Sequence, residues 1–209
     1  SEQPLRLPVQ DVYKFDARRI ITGRVTAGLV KVGDSLVFSP SNKRATIKSI
    51  EAFNIDPPPI EGHAGQSVGV TLDEQIFVER GEIASHQDEL PLVSTAFRAN
   101  VFWLGRKPLE RGRRYQLRVA TKEVDCEIAT IHRIIDTMDL AQQQGSAVVN
   151  KNQVAELTIR TKAPVAFDLS VSSEATGRFV LVDEYDIAGG GIVTELVHDD
   201  QEFLREEAR

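Results

Sequence analysis

Apolar and polar residues alternate along much of this chain with a period of two. Val68, Val70 and Leu72 are interleaved with Ser67, Gly69 and Thr71. Tyr115, Leu117 and Val119 alternate with Gln116, Arg118 and Ala120, and Ala155, Leu157 and Ile159 with Glu156, Thr158 and Arg160. Successive strand side chains point to opposite faces, so each segment predicts a half-buried strand. Helical periodicity is almost absent. Leu5–Tyr13, Ile20–Val25, Ser35–Phe38 and Arg44–Ala52 predict further strands. Turn chemistry separates them. Lys31-Val32-Gly33-Asp34, Pro40-Ser41-Asn42-Lys43 and Glu79-Arg80-Gly81-Glu82 carry residues that tolerate tight backbone reversals. Asp56-Pro57-Pro58-Pro59 predicts a stiff exposed loop, because three prolines cannot donate to a ladder.

The polar stretch His86–Pro91 predicts a domain boundary. A second β series follows it. Thr95–Trp103 is rich in strand formers, and Val124–Ile135 predicts a long strand bulged near Thr130-Ile131, where its apolar phase shifts. Phe179–Val182 is a continuous apolar run, and Ile192-Val193 follows Gly189-Gly190-Gly191. Two successive sets of short strands point to two barrels or sandwiches, and closure would remove exposed strand edges. The expected fold is all-β, with units over residues 4–86 and 91–197. A charged tail, 198–209, is expected as a short helix or disorder.

Composition narrows the picture. A length of 209 residues and a hydrophobic content of 41% suit one large or two small β domains. No apolar run approaches the roughly 20 residues of a spanning helix, and no basic-then-apolar leader opens the chain. The expectation is a cytoplasmic protein with no membrane partner. The single cysteine, Cys126, lies between Asp125 and Glu127 and reads as a core-facing strand residue, not a reactive thiol. A net charge of −6 argues against nucleic acid as the main partner.

The search for chemistry finds no catalytic, cofactor-binding or metal-binding residue to assign. A phosphate-binding Gly-x4-Gly-Lys-Ser/Thr loop is absent. Gly189-Gly190-Gly191 is followed by Ile192 and Val193 where that loop needs lysine and a hydroxyl, so these glycines read as a bulge or a tight strand crossing. His63, His86, His132 and His198 lack zinc-site spacing. One stretch stands out by charge: Arg98, Arg106, Lys107, Arg111, Arg113, Arg114 and Arg118, with Phe102, Trp103 and Tyr115 among them. Cations interleaved with aromatics suit a partner or anion surface. The alternative is a solvated outer face plus a turn.

The first unit resembles the second domain of translation-type GTPases. The resemblance rests on Pro8–Tyr13, Ile21-Thr22-Gly23-Arg24-Val25, Gly28–Asp34, Ile47–Glu51, Ala64–Val70 and Val78–Ile83, in that order. The second unit is similar to the third domain of the sulfate adenylyltransferase large subunit. The carrying residues are Phe97–Trp103, Pro108-Leu109, Arg114–Thr121, Val149–Asn152, Ala163–Asp168, Gly177–Asp183 and Ile187–Val193. The resemblance implies two consecutive antiparallel β-barrels of the elongation factor Tu domain II and domain III type. It implies a parent with an N-terminal GTPase domain whose GTP hydrolysis is coupled to adenylyl transfer from ATP to sulfate, giving adenosine 5′-phosphosulfate. Implied partners are that missing GTPase domain, a small catalytic sulfurylase subunit and, in some members, an adenylylsulfate kinase domain. GTP, ATP and Mg²⁺ belong to the parent, so this chain resembles a non-catalytic fragment. The runner-up reading is a specialised translation factor whose barrels hold a tRNA acceptor end.

Overall fold

A computed structural model of the chain describes residues 3–52, 55–136, 142–143 and 147–198. It divides into two units, Ser1–Pro91 and Leu92–Arg209.

The first unit contains β1 (Leu7–Phe15), β2 (Arg18–Arg24), β3 (Leu29–Lys31), β4 (Ser35–Ser39), β5 (Lys43–Glu51), β6 (Glu61–His63), β7 (Ser67–Leu72) and β8 (Ile83–His86). Six of these strands close a barrel in the order β1-β2-β7-β5-β4-β8, all antiparallel. The strands β3 and β6 form a separate two-stranded ladder. Val9, Ile21, Leu36, Phe38, Ile47, Ile50, Val70 and Ala84 fill the interior. The turns form where the sequence predicts them. Gly33 takes φ 91° and Gly81 φ 100°, and Asn42 sits at φ 63° between β4 and β5. Gly28 is required twice over: its φ is 74°, and a Cβ there would lie 2.6 Å from the Leu5 backbone.

One expectation fails in this unit. The strand β7 is not half-buried: Val68, Gly69, Val70 and Thr71 are all buried. The supposedly outward positions are covered, since a Cβ on Gly69 would lie 2.8 Å from Ile20 and the Thr71 hydroxyl hydrogen-bonds that of Ser49.

The second unit contains β9 (Leu92–Trp103), β10 (Leu109–Glu110), β11 (Arg114–Val119), β12 (Lys122–Asp136), β13 (Gln142–Gln143), β14 (Val148–Val149) and β15 (Gln153–Phe167). A four-residue helix α1 (Glu174–Gly177) precedes β16 (Arg178–Asp183) and β17 (Asp186–Val197). The ladder order is β11-β16-β17-β9-β15-β12, and β11 also pairs with β12, which closes a second antiparallel six-stranded barrel. The expected irregularity in β12 is present, with register shifts between Ile128 and Thr130 and between Ile131 and Arg133. Its core holds Phe97, Trp103, Tyr115, Phe167 and Phe179. The Gly189-Gly190-Gly191 run lies inside β17 as a close crossing. A Cβ on Gly189 would lie 2.8 Å from the Trp103 ring, and one on Gly191 2.5 Å from the Phe179 ring. Glycine there makes room for aromatics. The short β10–β14 ladder and α1 carry no periodic signal and were not expected. The tail from 199 onward lies outside the described residues, and His198 ends the described chain.

Candidate functional site

Strand alternation sorts the residues of the basic stretch. From Phe97 to Trp103 the even-numbered positions of β9 face outward and the odd ones inward, so Trp103 is fully buried while Phe102 is exposed. Tyr115 is likewise buried, 5.6 Å from Trp103 in an edge-to-face pair. The structure therefore corrects one inference: Trp103 and Tyr115 are core residues and present no face for stacking a ligand. The Trp103 indole N–H donates to the Lys107 carbonyl at 2.9 Å, and the Glu110 N–H donates to the Tyr115 hydroxyl at 3.0 Å. These bonds hold the turn between β9 and β11. Burial, before all else, raises the Tyr115 pKa.

The seven cations do not converge. The Arg98 guanidinium lies 2.9 Å from Glu156, whose other oxygen is 3.2 Å from Arg133, so charge alternates across three strands. Arg113 is 2.8 Å from Asp183, which is only 12% exposed, and sits 5.7 Å over the Tyr115 ring. Lys107 reaches Glu184 at 3.3 Å. Arg111 donates to the Ala129 carbonyl at 3.0 Å. Arg114 and Arg118 point outward from β11, 4.0 Å from Asp125 and 3.6 Å from Glu123. Arg106 is exposed and makes no ion pair among the described residues. Three roles result: a cross-strand ladder, a corner brace and a solvent-facing row.

Concave sites lie elsewhere. In the first barrel a cleft of about 520 Å³ opens between the turn at Ala17–Arg19 and the loop Asp73–Ile76, floored by Ile21, Ser49 and Thr71. Arg18 and Glu51 pair across it at 3.2 Å, and the Arg19 guanidinium lies 4.0 Å from the Phe77 ring. A second, shallower cleft of about 660 Å³ has Tyr13, Phe15 and Ile20 along its wall. The second barrel carries a cleft of about 380 Å³ lined by Arg114, Asp125, Glu127, Arg160 and Lys162. Its acids offset its cations. Sequence reading missed the first two, although exposed aromatics at alternate positions of β1 were a usable signal. Cys126 at the third cleft is buried. Desolvation, then Asp125 and Glu127, push its thiol up to about 12, so it is inert as a nucleophile. Among the described residues no group of three or more His, Cys, Asp or Glu could hold a metal ion. No helix among them is long and apolar enough to cross a membrane.

With the geometry in place, comparison with known proteins is decisive for the class. Residues 96–194 match the family described as GTP-eEF1A C-terminal domain-like. The crystal structure of Sup35 complexed with GDP superposes with a TM-score of 0.85 at 19% identity, over 93% of this chain and 48% of that one. That likeness speaks for the fold alone. The chain is thus a pair of barrels of the translation-GTPase type. Sulfate adenylyltransferase subunit 1 of Shewanella oneidensis is 31% identical over 188 residues, 88% of this chain and 38% of its own length. The bifunctional enzyme NodQ of a Rhizobium species is 31% identical over 92% of this chain and 30% of its own length. The chain belongs with the barrel portion of the sulfate adenylyltransferase large-subunit family. It spans about two fifths or less of the curated relatives it matches.

Proposed function

We propose that these barrels serve as the non-catalytic coupling module of a sulfate adenylyltransferase large subunit. The parent would hydrolyse GTP to drive ATP and sulfate to adenosine 5′-phosphosulfate in the cytoplasm. The observation that carries this reading is the single alignment running through both barrels, over 88% of the chain, to a sulfate adenylyltransferase subunit. Two closed barrels are rigid bodies, and a rigid body that docks differently on two nucleotide states of a GTPase domain can transmit that state to a partner. In this reading the chain supplies no reacting group. GTP, ATP and Mg²⁺ are bound by the GTPase domain and the small catalytic subunit, with an adenylylsulfate kinase domain as a further partner in some relatives.

Reconstitution tests it. The small subunit is assayed for GTP-dependent adenosine 5′-phosphosulfate formation with the GTPase domain alone, and with the GTPase domain joined to this chain. Stimulation by GTP only in the joined form supports coupling through the barrels. Equal stimulation without them removes the role. The tRNA reading is less favoured, since the burial of Trp103 and Tyr115 leaves the basic stretch without the stacking surfaces that reading would use.

A further inference from the structure

Arg6 is only 4% exposed, and arginine is rarely buried so deeply. The alternation Leu5-Arg6-Leu7 puts both leucines in the first core and sends Arg6 to the outer face. There its Nη1 donates to the Leu5 carbonyl at 2.8 Å and to the Glu89 carbonyl at 2.7 Å. The backbone beneath it is fixed. The Arg6 N–H donates to the Ala27 carbonyl, and the Arg6 carbonyl accepts the Thr26 N–H, both at 2.9 Å.

Glu89 belongs to the stretch that leaves β8 and leads into β9. Gln87, Asp88 and Glu89 are all exposed, so apolar packing does not hold this stretch. Such backbone is ordinarily the least ordered part of a domain. Its start is tied by His86, whose ring lies 2.9 Å from Asp34, and the same carboxylate oxygen accepts the Lys31 N–H at 2.8 Å. The Glu89 N–H reaches the His86 carbonyl at a long 3.3 Å. The bond from Arg6 is shorter and comes from a charged donor, which makes it the stronger tie. Beyond the Glu89 carbonyl only Leu90 and Pro91 remain before Leu92, which pairs with Phe167 in the second unit. Proline fixes its own φ and biases the residue before it toward extended backbone. The Arg6–Glu89 bond lies wholly within the first unit, which ends at Pro91.

We propose that Arg6 is a clamp on the chain between the two barrels, confining free backbone rotation there to Leu90 and Pro91. This rests on the coupling role proposed above and names a residue that role depends on. A short, stiff connection transmits a displacement from one barrel to the next, and a slack one absorbs it. Without the guanidinium the slack would extend back to Gln87.

The test begins with backbone ¹⁵N relaxation on the full 209-residue chain. In the unsubstituted protein, Gln87–Glu89 are expected at the order of rigid backbone, about 0.85, with the fall beginning at Leu90. Arg6→Met keeps an apolar stem and removes the donors, and should drop Gln87–Glu89 below about 0.6. Amides of Val9 and Phe38 should stay unchanged, which shows that the barrel is still folded. Arg6→Lys keeps a charged donor and should retain most of the order. In the reconstituted enzyme, Arg6→Met should lower GTP-dependent stimulation severalfold while small-subunit binding is unchanged. Glycines inserted between Leu90 and Pro91 lie outside both ladders and slacken the connection with Arg6 intact, so they should lower stimulation in the same way. Disorder at Gln87–Glu89 in the unsubstituted chain, or no loss of order in Arg6→Met, overturns the clamp and leaves the coupling role standing. Full stimulation by both the Arg6→Met and the glycine-insertion forms overturns the clamp's part in coupling. No stimulation by the unsubstituted joined chain overturns the coupling role, and the relaxation data then decide the clamp alone.

Discussion

Among the described residues, Phe38 is the sole aromatic in the core cluster of the first barrel, where it packs among Leu, Ile and Val. The second barrel, also of six strands, encloses Phe97, Trp103, Tyr115, Phe167 and Phe179. Its strands are longer, up to 15 residues in β12 and β15, against at most 9 in the first. Longer strands enclose more volume, and large rings fill it at native density only if neighbours shrink. Gly189 and Gly191 are those neighbours. The first barrel instead uses β-branched and aliphatic residues and leaves its clefts outside the wall, at the Ala17–Arg19 turn. One strand plan therefore supports two fillings, and the exposed chemistry follows the filling. Rings held inward in the second barrel leave its outer face to paired charges and to exposed apolar side chains such as Phe102 and Ile192.

The difference can be broken most sharply at Trp103. Trp103→Ala empties the largest side chain of the second core and should cost about 3–5 kcal/mol, read by far-UV circular dichroism in urea. The loss should fall on one barrel, with amide exchange at Val9 and Phe38 unchanged. A uniform loss of protection would mean the barrels unfold as one. The mirror experiment is Gly28→Ala in the first barrel, which forces a Cβ onto the Leu5 backbone and should cost about 3 kcal/mol. Trp103 is the single tryptophan, so its fluorescence transition in the second barrel should stay put.

Asp183→Ala removes the partner of a mostly buried guanidinium and should destabilise the second barrel by about 2 kcal/mol. Lysine at position 113 should not restore it, since the point charge loses the planar contact with Tyr115. Alkali gives a graded version of the same contrast. The Cys126 thiol, pushed up to about 12, stays protonated in the fold while the unfolded chain ionises near its ordinary value. Its contribution is complete below pH ~8.5 and lost as pH rises toward 12, on the order of 1 kcal/mol per unit. Urea midpoints followed by Trp103 fluorescence should fall across that window, and Cys126→Ala should flatten the fall. The smallest effect is expected at the exposed Lys107–Glu184 pair, where Lys107→Ala should change stability by less than about 0.5 kcal/mol. A loss above 1 kcal/mol there would show that the pair braces the turn.

Much of this was legible in the sequence, and for a physical reason. Period-two alternation marked β11 and β15, the phase shift marked the bulge in β12, and Gly33, Gly81 and Asn42 marked turns through their backbone preferences. The strand β7 misled because its outward positions, Gly69 and Thr71, are covered by neighbours far away in sequence. The short β10–β14 ladder was invisible because two-residue strands have no period. The basic stretch was visible as composition, but composition does not say which residues face inward. Trp103 and Tyr115 turned out to be core, and their burial could have been read from the parity of Val101 and Leu117. The exposure of Ile187 could not be read at all, because it follows a register shift between Leu181 and Val182 that the sequence does not mark.

The most direct measurement of the coupling role is a calorimetric titration of the chain with the small sulfate adenylyltransferase subunit, run beside deacylated tRNA as a competing ligand. The expected result is saturable one-to-one binding of the subunit and no tRNA binding above 150 mM salt. Saturable tRNA binding with no heat from the subunit would contradict the sulfate-activation role and return these barrels to a translation factor.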